Sequence, residues 1–210
     1  MICRILHSTS ERLLWVSKNW QSTFSHAENP LILTDYAHLT STDAGDTIFR
    51  DQATWDAQSR KYTNGNVFAA LYLRELDPHG PPRDLGSMKN LAQWNISVAL
   101  ELPIDTLERF QQTEIYVPPA ALWILIAGRN VYECCKAKVN NTGDLVQQRW
   151  MGMYGGTLLW TGEEGFSIER WNFWKQRFSH ISQLEGTERV VQLAAQAAEE
   201  MEKIDGENAC

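Results

Sequence analysis

The chain has 210 residues, 43% of them hydrophobic and 21% charged, and no low-complexity linker divides it, which fits one globular domain with a substantial core. Its formal net charge of −7, with Lys and Arg scattered, argues against broad binding to a phosphate backbone, so nucleic acid is not an expected partner. Nine Trp residues are the outlier, several-fold above ordinary usage, and imply that something large and flat is packed or bound.

The first expected helix opens at Ser8, where Ser8 and Glu11 form a capping-box pattern, and carries Leu13, Val16, Trp20 and Phe24 on one stripe. Residues 25–46 read as irregular, with Asn29-Pro30 as a turn; Asp35, Tyr36 and His38 fall there, a loop cluster that could be catalytic but reads by default as solvated polar residues. A helix through Trp55 to Tyr62 follows, then a short one from Asn64 to Leu76 with Phe68, Leu71 and Tyr72 inward. Asp77-Pro78-His79-Gly80-Pro81-Pro82 is the strongest punctuation in the chain and opens a loop over 77–86.

Three further helices are expected at 87–102, 104–112 and 119–138. Leu91, Trp94, Val98 and Leu102 stripe the first, and Pro103 ends it. In the third, Ala120 to Ala127 is apolar around the whole circumference, as a central helix would be. Residues 144–160 form a less regular helix weakened by Gly152, Gly155 and Gly156, with Trp150 and Tyr154 on one face. Ser167 caps the next helix, where Phe166 can pack on Trp171 as a hydrophobic staple and the stripe is Trp171, Trp174, Phe178 and Ile181. Thr187 caps a last helix with Val190, Leu193, Ala194, Ala197, Met201 and Ile204 inward, and residues 205–210 should fray. With no alternation credible as a strand, the expectation is an all-α, single-domain orthogonal bundle of about seven to nine helices with a Trp-rich core.

Met1 to His7 is too short in its apolar run for a signal peptide, and no stretch approaches a membrane span, so a cytoplasmic location is expected. Cys3, the adjacent pair Cys134-Cys135 and Cys210 fit neither a disulfide framework nor zinc spacing, and are expected as free thiols. The five His residues show no chelating interval, so no metal is expected; His180, beside the Trp-rich stripe, could serve as a general acid or base, but it also lies near a helix C-terminus, where a surface His is commonplace. No phosphate loop, dinucleotide fingerprint or nucleophile elbow appears, and no cofactor is expected.

Polar groups on apolar stripes are the chemical candidates, because burying one without a partner costs roughly 1–3 kcal/mol. Asn95 shares the stripe of Leu91, Val98 and Leu102. Arg129 follows the line of Leu122, Leu125 and Ile126, with Glu133 one turn later as its default ion-pair partner. Asn95, Arg129 and Tyr132 are therefore candidate donors to a substrate oxygen, and Trp94, Trp123, Trp150, Tyr154 and Trp171 candidate walls of a cavity. Aromatic stripes at helical spacing are also what simple core packing produces.

Trp160 with Gly162, Gly165-Phe166-Ser167, Glu169-Arg170-Trp171, Phe173-Trp174 and Arg177-Phe178 resembles the C-terminal signature of a family of fungal proteins classed as a domain of unknown function. Trp94-Asn95 and Arg129 with Glu133 are similar to that family's central helices, and the likeness runs from about Asn64 to Ile204. The resemblance implies an all-helical fold without a recognised cofactor. It also implies a setting among specialised-metabolite genes, where some cofactor-free proteins act as cyclases or isomerases, Diels–Alder-type enzymes included. A pericyclic reaction asks of a protein little more than a shaped apolar cavity and one hydrogen-bond donor. The expected ligand is thus an apolar terpenoid or polyketide, and a homodimer is possible. The opposing expectation is a non-catalytic binding or scaffold protein that recognises a partner through an aromatic patch.

Overall fold

The computed structural model describes residues 52–76, 82–104, 107–139 and 159–208, with side chains from 59, 88 and 113 onward in the first three segments. These residues form five helices and no strand: α1 (Gln52–Glu75), α2 (Pro82–Leu100), α3 (Leu107–Lys136), α4 (Ile168–Ile181) and α5 (Glu188–Asn208). The expected elements at 8–24, 25–46 and 144–158 lie outside the described residues. The chain divides into two compact units, 1–58 and 59–210, with the boundary inside α1. The second unit holds everything described below.

Two pairs of expected helices are single helices. α1 runs through Asn64-Gly65 without a break. Asn66 reinforces it by donating its side-chain amide to the Tyr62 carbonyl at 3.0 Å. α3 runs through Pro118 and Pro119, each of which withholds one helical hydrogen bond, and both side chains are buried. α2 begins at Pro82, where a proline needs no N–H partner, so the expected 77–86 loop ends earlier than its composition suggested. α5 continues to Asn208 instead of fraying at 205, because Asp205 accepts hydrogen bonds from Trp171 Nε1 at 2.9 Å and from Lys175.

α3 is the hub, packing against α2, α4 and α5. Its inward face is Ala120, Ala121, Trp123, Ile124, Ala127 and Val131, while Leu122, Leu125 and Ile126 are only part-buried, so the helix is not surrounded on all sides. At Ala127 the backbone leaves helical geometry (φ −126°, ψ 20°). A side chain on the next residue, Gly128, would come within 2.9 Å of Ile204, so the bare glycine is what lets α5 approach. α4 buries the stripe that its spacing indicates, Trp171, Trp174, Phe178 and Ile181; α5 buries Val190, Ala194, Ala197, Met201 and Ile204, while Leu193, also expected inward, is part-buried. On α1 the buried apolar residues are Ala69, Ala70 and Leu73; Leu71, expected inward, is 38% exposed.

Candidate functional site

The loop before α4 and the C-terminal end of α2 meet at a buried ion pair. Ser167 caps α4 by accepting from the Arg170 backbone N–H at 3.0 Å. Arg170 then reaches back: Nε and Nη2 donate to the two carboxylate oxygens of Glu101 at 2.7 and 2.8 Å, and Nη1 donates to the Gly165 carbonyl at 2.8 Å. Ser97 Oγ accepts from Nη2 and donates to Glu101, and Trp174 Nε1 donates to Glu101 at 2.7 Å. The guanidinium carbon lies 5.9 Å from the Trp160 ring and 5.5 Å from that of Trp174. Glu101 is 1% exposed, so the arrangement is saturated and sealed. Phe166, expected as a staple on Trp171, sets its ring edge-on to Trp174. The aromatic and charged residues of the signature thus build a clamp between α2 and α4.

Nearby groups are equally closed. Cys134 and Cys135 are buried free thiols whose pKa values are raised by loss of solvation, which makes them poor nucleophiles. Arg177 donates Nε to the Leu100 carbonyl at 2.9 Å, and burial pulls its pKa down. Its Nη2 is buried without an acceptor. Among the described residues no three His, Cys, Asp or Glu side chains are placed to hold a metal, and no helix is long and apolar enough to cross a membrane.

The residues singled out from the sequence fall in different places. Arg129 is on the surface, its side chain 64% exposed, and pairs with Glu207 of α5; Glu133, its expected partner, pairs with Lys136 at 3.1 Å. Tyr132 is part-buried, its ring 5.1 Å from that of Trp171. Trp123 and Trp171 are fully buried with indole N–H groups engaged, Trp123 donating to Asn66 Oδ1 at 2.8 Å and Trp171 to Asp205. Trp94 is part-buried on α2 and His180 is exposed on α4. Trp150 and Tyr154 lie outside the described residues.

Asn95 is the candidate around which polar groups gather. It is 1% exposed, and its amide nitrogen donates to the Leu91 carbonyl at 2.8 Å, which fixes the orientation of the amide. Its Oδ1 accepts a short hydrogen bond from the hydroxyl of Tyr62 on α1. The α1 backbone is pinned at that point by the relay from Trp123 to Asn66 to the Tyr62 carbonyl. The Tyr62 ring stands edge-on to Tyr116 at 6.1 Å. Val98, Ala99 and Leu102 continue the Asn95 face of α2, and with Pro103, Ile104, Thr113 and Tyr116 they line a notch of about 10 Å³, room for about one water. Spacing identified Asn95 but missed Tyr62, Asn66, Glu101 and Arg170. Glu101 carried a usable signal, a carboxylate between Leu100 and Leu102 four residues after Ser97.

The family's sequence model covers residues 5–178 of this chain. The chain belongs to the family described as "Protein of unknown function (DUF3632)". The match takes in the 160–178 signature. It reaches further toward the N-terminus than the expected start near Asn64 and stops at Phe178, before α5. No curated protein and no solved structure matches the chain at a significant level.

Proposed function

We propose that this protein is a cofactor-independent cyclase or isomerase of the Diels–Alder type, acting in the cytoplasm on an apolar terpenoid or polyketide of fungal specialised metabolism. The fold that goes with this reading is the orthogonal bundle expected from the sequence. The observation that carries it is Asn95: a buried amide on an apolar helix face, oriented by a backbone carbonyl and joined to a part-buried Tyr62, with Val98, Ala99 and Leu102 of the same face lining a small notch. Such a site offers one oriented polar contact beside apolar side chains, which is part of what a pericyclic reaction needs. Trp94 and Tyr116 are the aromatic walls in this reading. The polar contact falls to the Tyr62–Asn95 pair, because Arg129 faces solvent in an ion pair.

The test is to express the neighbouring biosynthetic genes with and without this one and compare products by mass spectrometry and NMR. A product of unchanged mass and altered skeleton supports the cyclase. A specific observation favours a second reading, a non-catalytic binding or scaffold protein that recognises a second copy or another partner: Trp123, Trp171 and Trp174 fill the core with every indole N–H engaged, so these tryptophans are used in packing. An identical product spectrum would select that reading.

A further inference from the structure

A strap from Leu159 to Phe166 covers the Glu101–Arg170 pair and is fastened at both ends. The Leu159 N–H donates to the Glu101 carbonyl at 2.8 Å, and the Phe166 N–H to the Val139 carbonyl at 3.0 Å. Between those points no backbone–backbone hydrogen bond ties residues 160–165 to the described residues. The middle is held by side chains: Arg170 Nη1 on the Gly165 carbonyl, and Trp160, which donates to the Glu163 carbonyl and lies over the Arg170 guanidinium. Thr161, Gly162, Glu163 and Glu164 form the tip, all exposed and outside any helix. We propose that Thr161 is a phosphorylation site for an acid-directed serine/threonine kinase, and that the added phosphate releases Trp160 from Arg170. The site is remote in sequence from Asn95, and the proposal does not depend on the cyclase reading.

A kinase must take its substrate as an extended segment with a reachable hydroxyl, which an exposed strap offers and a helix does not. Glu163 and Glu164, two and three residues after Thr161, suit a kinase groove lined by Lys and Arg. Other hydroxyls lack the combination. Ser179 and Thr187, also exposed, have Ser182 and Val190 three residues on. Ser182 has Glu185 there but is part-buried and donates its hydroxyl to the Ser179 carbonyl at 2.7 Å. In the transfer, Thr161 Oγ attacks the terminal phosphorus of ATP. An O–P bond forms as the bond to ADP breaks, and the hydroxyl proton passes to the kinase's catalytic aspartate. The product carries about −1.5 to −2 charge. Arg170 is already neutralised by Glu101, and no ion pair among the described residues engages Glu163 or Glu164. The phosphate therefore meets two like charges within three residues, and spreading them withdraws the Glu163 carbonyl from Trp160. Gly165, with φ 81°, and Gly162 give the strap the backbone freedom to open.

The experiment incubates the full chain, native and denatured, with ATP, magnesium and an acid-directed serine/threonine kinase, and maps the product by peptide mass spectrometry. Native protein should gain one phosphate, on Thr161. Thr161→Ala should gain none there, and the double variant Glu163→Gln with Glu164→Gln should react severalfold more slowly. Tryptophan emission should shift to the red on phosphorylation of the native protein, and the shift should be absent from phosphorylated Trp160→Phe, which separates release of this ring from general loosening. Phosphate on Thr161 only after denaturation, phosphate only at other residues, or none in either form overturns the site. A Thr161 phosphate with unchanged emission, or a red shift that persists in Trp160→Phe, overturns the release of Trp160.

Discussion

Arg170 lays the Nε–Nη2 edge of its guanidinium on both carboxylate oxygens of Glu101, a residue 69 positions earlier, with the two side chains 7% and 1% exposed. A pair this deeply buried survives because each remaining proton and lone pair is met, by Ser97, Gly165 and Trp174. It welds the end of α2 to the start of α4, and it accounts for why Arg170 stands in the middle of an otherwise aromatic signature.

Removing one partner leaves the other charge stranded. Arg170→Met should cost about 3–5 kcal/mol in chemical denaturation, whereas pairing it with Glu101→Leu should recover a large part of that loss. A double mutant as unstable as the sum of the single ones would mean that the two residues stabilise the fold independently.

The sequence reading succeeded where one residue's neighbours decide its fate. The α4 and α5 stripes follow from 3.6-residue spacing and Ser167 from cap chemistry, and both are local. It failed where packing overrides local preference: Asn64-Gly65 and Pro118-Pro119 look like breaks, yet α1 and α3 continue through them. Arg129 misled because a partner on another helix decides its place: its side chain lies at the surface beside Glu207 of α5, while Glu133 pairs with Lys136. At the candidate site Asn95 was legible because a polar residue on an apolar stripe stands out. Its partner Tyr62 lies 33 residues away on another helix, which no periodicity can report.

Lys138 is the described non-glycine residue with positive φ, at 49°. It closes α3: its own N–H donates to the Cys135 carbonyl at 3.2 Å, and the Val139 N–H donates to Cys134 at 3.1 Å, the pattern that glycine favours at a helix end. Lys138→Gly should therefore stabilise the protein by about 1 kcal/mol, the relief of left-handed strain less the added freedom of the unfolded chain. A melting temperature that falls would show the lysine side chain contributing more than the strain costs.

Gly162 sits under the Trp160 indole, where an added Cβ would approach ring atoms to 2.3 Å. The indole also contacts Phe173 at 5.5 Å and donates to the Glu163 carbonyl at 3.0 Å. Gly162→Ala should push Trp160 off the Arg170 face, costing about 1–3 kcal/mol and shifting tryptophan fluorescence to the red as the ring meets water. An unchanged spectrum would mean that the loop yields and the ring stays.

Cys134 and Cys135 titrate above the ordinary 9.0, the first cause in each case being burial. A thiol whose folded pKa lies above its unfolded value contributes stability that is fully present below pH 9 and is lost as pH climbs toward the folded value, because only the unfolded chain readily gives up the proton. Unfolding free energy should hence decline from about pH 9 upward, and Cys135→Ala, which removes the more strongly shifted thiol, should flatten that decline. The same burial predicts that both thiols resist iodoacetamide at pH 8 in the native protein and react once denaturant is added, with peptide mass mapping as the readout. Rapid native labelling of either cysteine would place it at the surface and remove the basis for the alkaline effect.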